Sequence, residues 1–142
     1  MSELRIEAYR AEHFADVRAL WQEAFPDDPP WNAAEVAIPA KLAVQPELFL
    51  VALDGVHAIG SIMAGYDGHR GWLYAVAVRA SHRRHGTGAA LVRAAEQRLQ
   101  ARGCRKINLQ VRVSNRAVIE FYRRLGYAVE ERVSLGKRLA ET

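Results

Sequence analysis

Apolar and polar residues alternate from Leu4 to Ala8, as in a strand with one buried face. From His13 to Phe25 the spacing turns helical, with Phe14, Val17, Leu20, Trp21 and Ala24 on one face. Pro26-Asp27-Asp28-Pro29-Pro30 ends that helix. Asn32 followed by Glu35 has the form of a capping box opening a second helical stretch. Pro39 inside that stretch predicts either a kink or a helix that starts there. Leu48 to Leu53 and His57 to Tyr66 read as strands joined at Asp54-Gly55, a strong hairpin signal. Asp67 to Gly71 makes the next reversal, and Trp72 to Val78 is another strand.

A basic, glycine-bearing loop follows from Arg79 to Gly88, then an amphipathic helix from Ala89 to Arg102. Its inner face carries Leu91, Ala95 and Leu99, and Gly103 supplies the stop. Lys106 to Val113 reads as a strand. Ser114 or Asn115 caps a helix that runs to Leu125, with Val118, Phe121, Tyr122 and Leu125 facing inward. Gly126 ends it, and Tyr127 to Val133 reads as a final strand. The expected order is β-α-α-β-β-β-α-β-α-β, an α+β domain with a mixed, mostly antiparallel sheet and helices on both faces. With 142 residues the chain has room for one such domain, residues 1–142.

Chemistry concentrates between the strand ending at Val78 and the helix opening after Gly88. The loop reads Arg83-Arg84-His85-Gly86-Thr87-Gly88. A strand, loop and helix in this order gather free backbone N–H groups and a positive helix end at one spot, where an anion can sit. Without Cβ atoms at Gly86 and Gly88 the backbone can turn sharply and approach a phosphate. No Gly-x-Gly-x-x-Gly fingerprint and no Gly-Lys-Ser/Thr is present, which argues against a dinucleotide fold and a P-loop. The charge balance is 20 Lys and Arg against 16 Asp and Glu, which favours anionic ligands only mildly. Arg79, His82, Arg83, Arg84 and His85 make the density local. A single cysteine, Cys104, excludes an internal disulfide and reads as a small buried hydrophobe. No apolar run is long enough for a bilayer and no leader pattern opens the chain, so a cytoplasmic protein is expected.

Arg-x-x-Gly-x-Gly after an apolar strand and opening a helix resembles the acetyl-CoA loop of the GCN5-related N-acetyltransferase (GNAT) family. The C-terminal third strengthens the likeness: Leu109-Gln110-Val111-Arg112, then Asn115, Phe121-Tyr122 and Leu125-Gly126-Tyr127. Gly65 to Gly71 and Leu135 to Leu139 resemble the small bacterial YpeA branch of that family. The resemblance implies the acyl-CoA N-acyltransferase fold, acetyl-CoA as cosubstrate without a metal, and a primary amine acceptor, small molecule or peptide. Neither nucleic acid nor membrane is an expected partner, and monomer and homodimer are both open.

The resemblance also implies roles. Backbone groups from Arg83, Arg84, His85, Gly86, Thr87, Gly88 and Ala89 would hold the pyrophosphate. Val76, Ala77 and Val78 would bond the pantetheine arm through their main chain, like an added strand in a gap beside them. Asn115 would contact the arm, and Tyr122, two helical turns or about 10 Å further on, would protonate the departing thiolate as general acid. A strand N–H around Val76 would meet the oxyanion. Read without the family, Asn115 is a plain cap and Tyr122 a core aromatic. Asp27 and Asp28 would greet a cationic amine, or are simply turn residues; Trp31 lines a pocket or anchors core.

Some positions depart from the family. Gln110 stands where the ribosomal-protein branch carries glutamate, Ala80 where proline is common, and Arg84 where glycine is common. No general base is assigned; Asp67, His69 and Tyr74 are weak candidates. Two alternatives compete with catalysis: a coenzyme A sensor that keeps the loop, and an RNA-binding protein. The second suffers from a short basic run without interleaved aromatics.

Overall fold

β1 (Leu4–Ala8), β2 (Phe49–Asp54), β3 (His57–Tyr66) and β4 (Gly71–Val78) form an antiparallel meander in the order of the chain. β5 (Ile107–Asn108) joins its far edge in parallel to β4. The computed structural model describes residues 4–140, which fall into two compact units, residues 4–109 and 110–140. The sheet lies wholly in the first, together with α1 (Phe14–Ala24), α2 (Ala34–Leu42) and α3 (Thr87–Ala101).

β2 shows why the sheet needs helices on both faces: its first five residues are all buried. Phe49, Val51 and Leu53 pack with Val17, Leu20 and Trp21 of α1 and Ile38 of α2. Strand alternation sends Leu50 and Ala52 the other way. There, a Cβ placed on Gly60 would meet Leu91 of α3 at 3.0 Å and Ala52 at 3.3 Å. The bare backbone at Gly60 therefore lets α3 sit close against the sheet. Tyr9 stacks on Phe49 at 4.5 Å between ring centroids, and Trp21 lies 6.2 Å beyond.

Cys104 is buried, as expected, and its Sγ lies 3.3 Å from the Lys106 carbonyl. Gly103 closes α3 with a positive φ of 91°. α3 begins at Thr87, two residues before the expected Ala89, so Gly88 lies in its first turn.

Three expectations need correction, and the alternatives at Pro39 are decided. The Asn32–Glu35 capping box does not form: Ala33 is the N-cap without a side-chain bond, and Glu35 pairs with Arg18 of α1 at 2.9 Å. α2 runs through Pro39 and does not start there, because Ala34 and Ile38 bury its inner face. Of the expected strand Lys106 to Val113, only Ile107 and Asn108 pair, with Gly71 and Trp72. The expected strand Tyr127 to Val133 makes no ladder among the described residues, and Val129 and Val133 are exposed. Alternation chooses a face but supplies no partner. The observed order is thus β-α-α-β-β-β-α-β-α, still mixed and mostly antiparallel.

The second unit is built on α4 (Arg116–Arg124), capped by Asn115, whose Oδ1 accepts from the Val118 N–H at 3.4 Å. Tyr122 is buried and meets Phe121 and Tyr127 edge to face, at 5.0 and 5.5 Å. Gln110 donates its side-chain amide to the Ser134 hydroxyl.

Candidate active site

Because β5 stops after two pairs, β4 from Leu73 onward has no ladder partner on that side among the described residues. The Arg79 N–H turns inward to the Ile59 carbonyl at 2.8 Å. The Val78 carbonyl turns outward and accepts from the Arg83 guanidinium at 3.1 Å. An N–H and C=O of one strand residue point the same way, so the Val78 amide also faces the open edge. Val76, Ala77 and Val78 lie beyond the last β4–β5 pair, Trp72 with Asn108.

The open edge leads into the loop. Ala80–His82 form a single 3-10 turn, then Arg84 and Gly86 take left-handed backbone, φ 67° and 80°. Gly86 is the N-cap of α3, and the first helical bond runs from the Ala90 N–H to the Gly86 carbonyl at 3.0 Å. The first-turn amides of Thr87, Gly88 and Ala89 have no carbonyl four residues back within the helix. Thr87 itself is buried.

Several of the basic residues are already engaged inside the protein. Glu23 of α1 accepts the Ala80 N–H at 3.0 Å and lies 3.7 Å from the Arg79 guanidinium. His82 bridges from the Ser81 hydroxyl to Asp54 at 2.8 and 2.9 Å. Arg83 is spent on Val78. These contacts pin the loop to α1, to the β2–β3 turn and to β4. Arg84 and His85 stay exposed at its tip.

Midway along β4 the ladder slips. Ser61 pairs with Ala77 and Met63 with Tyr74, leaving Ala75 and Val76 opposite one residue, Ile62. Ala75 has φ 50°, the left-handed region, in a residue with a side chain. No feature of the sequence announces this bulge.

On the other face, a cavity of about 310 Å³ opens between α1 and the turn leading into α2. Arg18, Trp21, Phe25, Asp28 and Glu35 contribute to its wall. Asp28 lines this cavity, whereas Asp27 and Trp31 are not part of the lining.

Of the base candidates, Asp67 and Tyr74 are poorly suited to take a proton. Asp67 accepts the Arg70 and His69 N–H groups, both at 2.7 Å, and these bonds hold its carboxyl below the usual range. It braces a turn. Tyr74 is pushed up by partial burial and then by Asp67, which disfavours its phenolate. Burial pushes the Tyr122 hydroxyl up to about 12, which keeps it a proton donor at neutral pH.

The site thus combines a β4 stretch beyond its last pair with β5, a loop pinned by internal contacts and a helix start without a side-chain cap. The sequence profile of the Acetyltransferase (GNAT) family matches residues 9–127, and the chain belongs to that family. An acetyltransferase of Sodalis glossinidius is 45% identical over 141 residues, 97% of each chain. One of Yersinia pseudotuberculosis is 42% identical over 138 residues, 96% of each. Among solved structures, the aminoglycoside N-acetyltransferase AAC(6')-Iy in complex with CoA superposes with a TM-score of 0.79 at 21% identity, covering 99% of this chain and 97% of that one. Ard1 from Thermoplasma volcanium gives 0.81 at 22% identity, covering 89% and 84%. These two likenesses are of fold.

Proposed function

We propose that this chain transfers an acetyl group from acetyl-CoA to a primary amine by direct attack. The observation that carries the reading is the open β4 edge continuing into the amides at the start of α3. The pantetheine arm would extend β4 as an added strand along Val76, Ala77 and Val78. The pyrophosphate would lie on main-chain donors between Arg83 and Ala89, with the Thr87 hydroxyl as a further donor. A β4 amide around Val76 would meet the oxyanion as the amine attacks. Asn115 would bond the arm, and Tyr122 would protonate the thiolate that leaves.

The attacking nitrogen must be neutral. Deprotonating a lysine-type amine at pH 7 costs roughly 4–5 kcal/mol, an α-amino group only about 1. With Asp67 committed to its turn and Gln110 unable to take a proton, the chemistry favours an acceptor of low pKa. Asp28 at the cavity offers a counter-charge for a cationic substrate before it loses its proton.

The same features favour one alternative, a coenzyme A sensor that binds without turnover. Thiol release from acetyl-CoA across a panel of α-amino peptides, lysine peptides and small polyamines separates the two. Turnover with at least one α-amine establishes the enzyme; tight binding with no thiol released from any amine establishes the sensor.

A further inference from the structure

The bulge in β4 is held from beneath by a polar relay inside an otherwise apolar layer. The Trp21 indole N–H donates to the Ser61 Oγ at 2.8 Å, and the Ser61 hydroxyl donates to the Ala75 carbonyl, also at 2.8 Å. Ser61 is fully buried and Trp21 nearly so. At the bulge the slipped ladder gives the Ala75 carbonyl no facing residue of its own, and the hydroxyl takes that place. A left-handed alanine persists only where its surroundings fix it. Glycine at 75 would adopt this backbone freely, and an apolar residue at 61 would suit the layer. The chain uses neither. Trp21 is locked in turn by Phe49, and also walls the cavity between α1 and α2.

We infer that Ser61 is a positioning residue, oriented by Trp21, that sets the peptide groups of the β4 bulge against the acetyl carbonyl. The inference rests on the acetyl-CoA reading above, in which β4 main chain meets that carbonyl. It assigns the aim of those groups to a side-chain relay and not to the strand itself. The relay also ties the bulge to the wall of the cavity where a cationic amine would be received.

Acetyl-CoA carrying ¹³C at the acetyl carbonyl, bound to the whole chain, reads the aim directly. The carbonyl resonance should move downfield on binding to the native protein. Ser61→Ala should lose at least half of that displacement and slow turnover about 10- to 100-fold, while the ³¹P signals of the bound pyrophosphate stay in place. Trp21→Phe should give an intermediate displacement. Ser61→Ala with Ala75→Gly separates positioning from stability. Glycine relieves the backbone, so the melting temperature should recover while the carbonyl signal and turnover stay low. A full displacement in Ser61→Ala, or its recovery along with stability in the double variant, overturns the inference and leaves the acetyl-CoA reading standing. No ³¹P change with the native protein overturns both.

Discussion

Tyr122 carries the clearest electrostatic signature in the chain. Burial raises its hydroxyl to about 12, because the phenolate would lose its hydration among Phe121 and Tyr127. A general acid must be protonated when the leaving group needs it, so this shift extends its working range upward. Activity should rise with pH as the amine deprotonates and show no fall through pH 10, where an ordinary tyrosine would ionise. Tyr122→Phe should cut kcat about 100-fold with the Kd for acetyl-CoA unchanged, measured by calorimetry beside steady-state rates. Unchanged kcat would assign the ring to packing alone. The same shift acts on stability. The unfolded phenol ionises near 10 and the folded one near 12, so the unfolded chain binds fewer protons between those values. Stability from this group is complete below pH 10 and is lost as pH rises towards 12. Denaturant midpoints at pH 9 and pH 11 should differ in that direction, and less so in Tyr122→Phe. Asn115 makes a smaller contribution. Its capping bond is long, 3.4 Å, so Asn115→Ala should destabilise by about 0.5 kcal/mol, the weak end for a lost cap.

At the scale of elements, the start of α3 depends on one backbone angle. Gly86 holds φ 80° with nothing near an added Cβ. A side chain there meets no clash, only the left-handed penalty of about 1–2 kcal/mol. Gly86→Ala should therefore lower the melting temperature slightly. It should weaken acetyl-CoA about tenfold as the first-turn amides shift, a loss that calorimetry and a melting curve read together. This glycine was legible in the sequence, as were the hairpin at Asp54-Gly55 and the periodicity of α3, because each is a local property of the chain. Elements that depend on a partner were not. Tyr127 to Val133 makes no ladder among the described residues, and Lys106 to Val113 pairs only where Gly71 and Trp72 face it. The capping box failed because the helix starts one residue later than Asn32 requires, with Ala33 as N-cap, and Glu35 pairs with Arg18 of α1. The bulge at Ala75 was invisible, since nothing distinguishes that alanine until Ser61 and Trp21 are brought beneath it. Val76 to Val78 were placed correctly as strand, but that β5 stops short of them was not legible.

For the molecule as a whole, the charge count suggests a stronger affinity for polyanions than the fold delivers. The loop's cations are partly consumed internally: Arg79 faces Glu23, His82 faces Asp54 and Arg83 is turned onto Val78. What remains, beside the exposed Arg84 and His85, is a set of first-turn amides, which in the proposed reading would grip a diphosphate through dipoles and close approach. A nucleic acid needs instead a wide basic track and stacking platforms. Acetyl-CoA at 100 times its Kd should stabilise the folded chain by about 2.7 kcal/mol, a rise in melting temperature of roughly 5–10 °C for a domain this size. A single-stranded RNA octamer at 0.15 M salt should give no shift. Raising the salt to 0.5 M should weaken acetyl-CoA only modestly, since few counterions are released when amides do the binding. A shift produced by the RNA, steeply lost with salt and absent with acetyl-CoA, would make the loop a nucleic-acid patch and remove the anchor on which acetyl transfer depends.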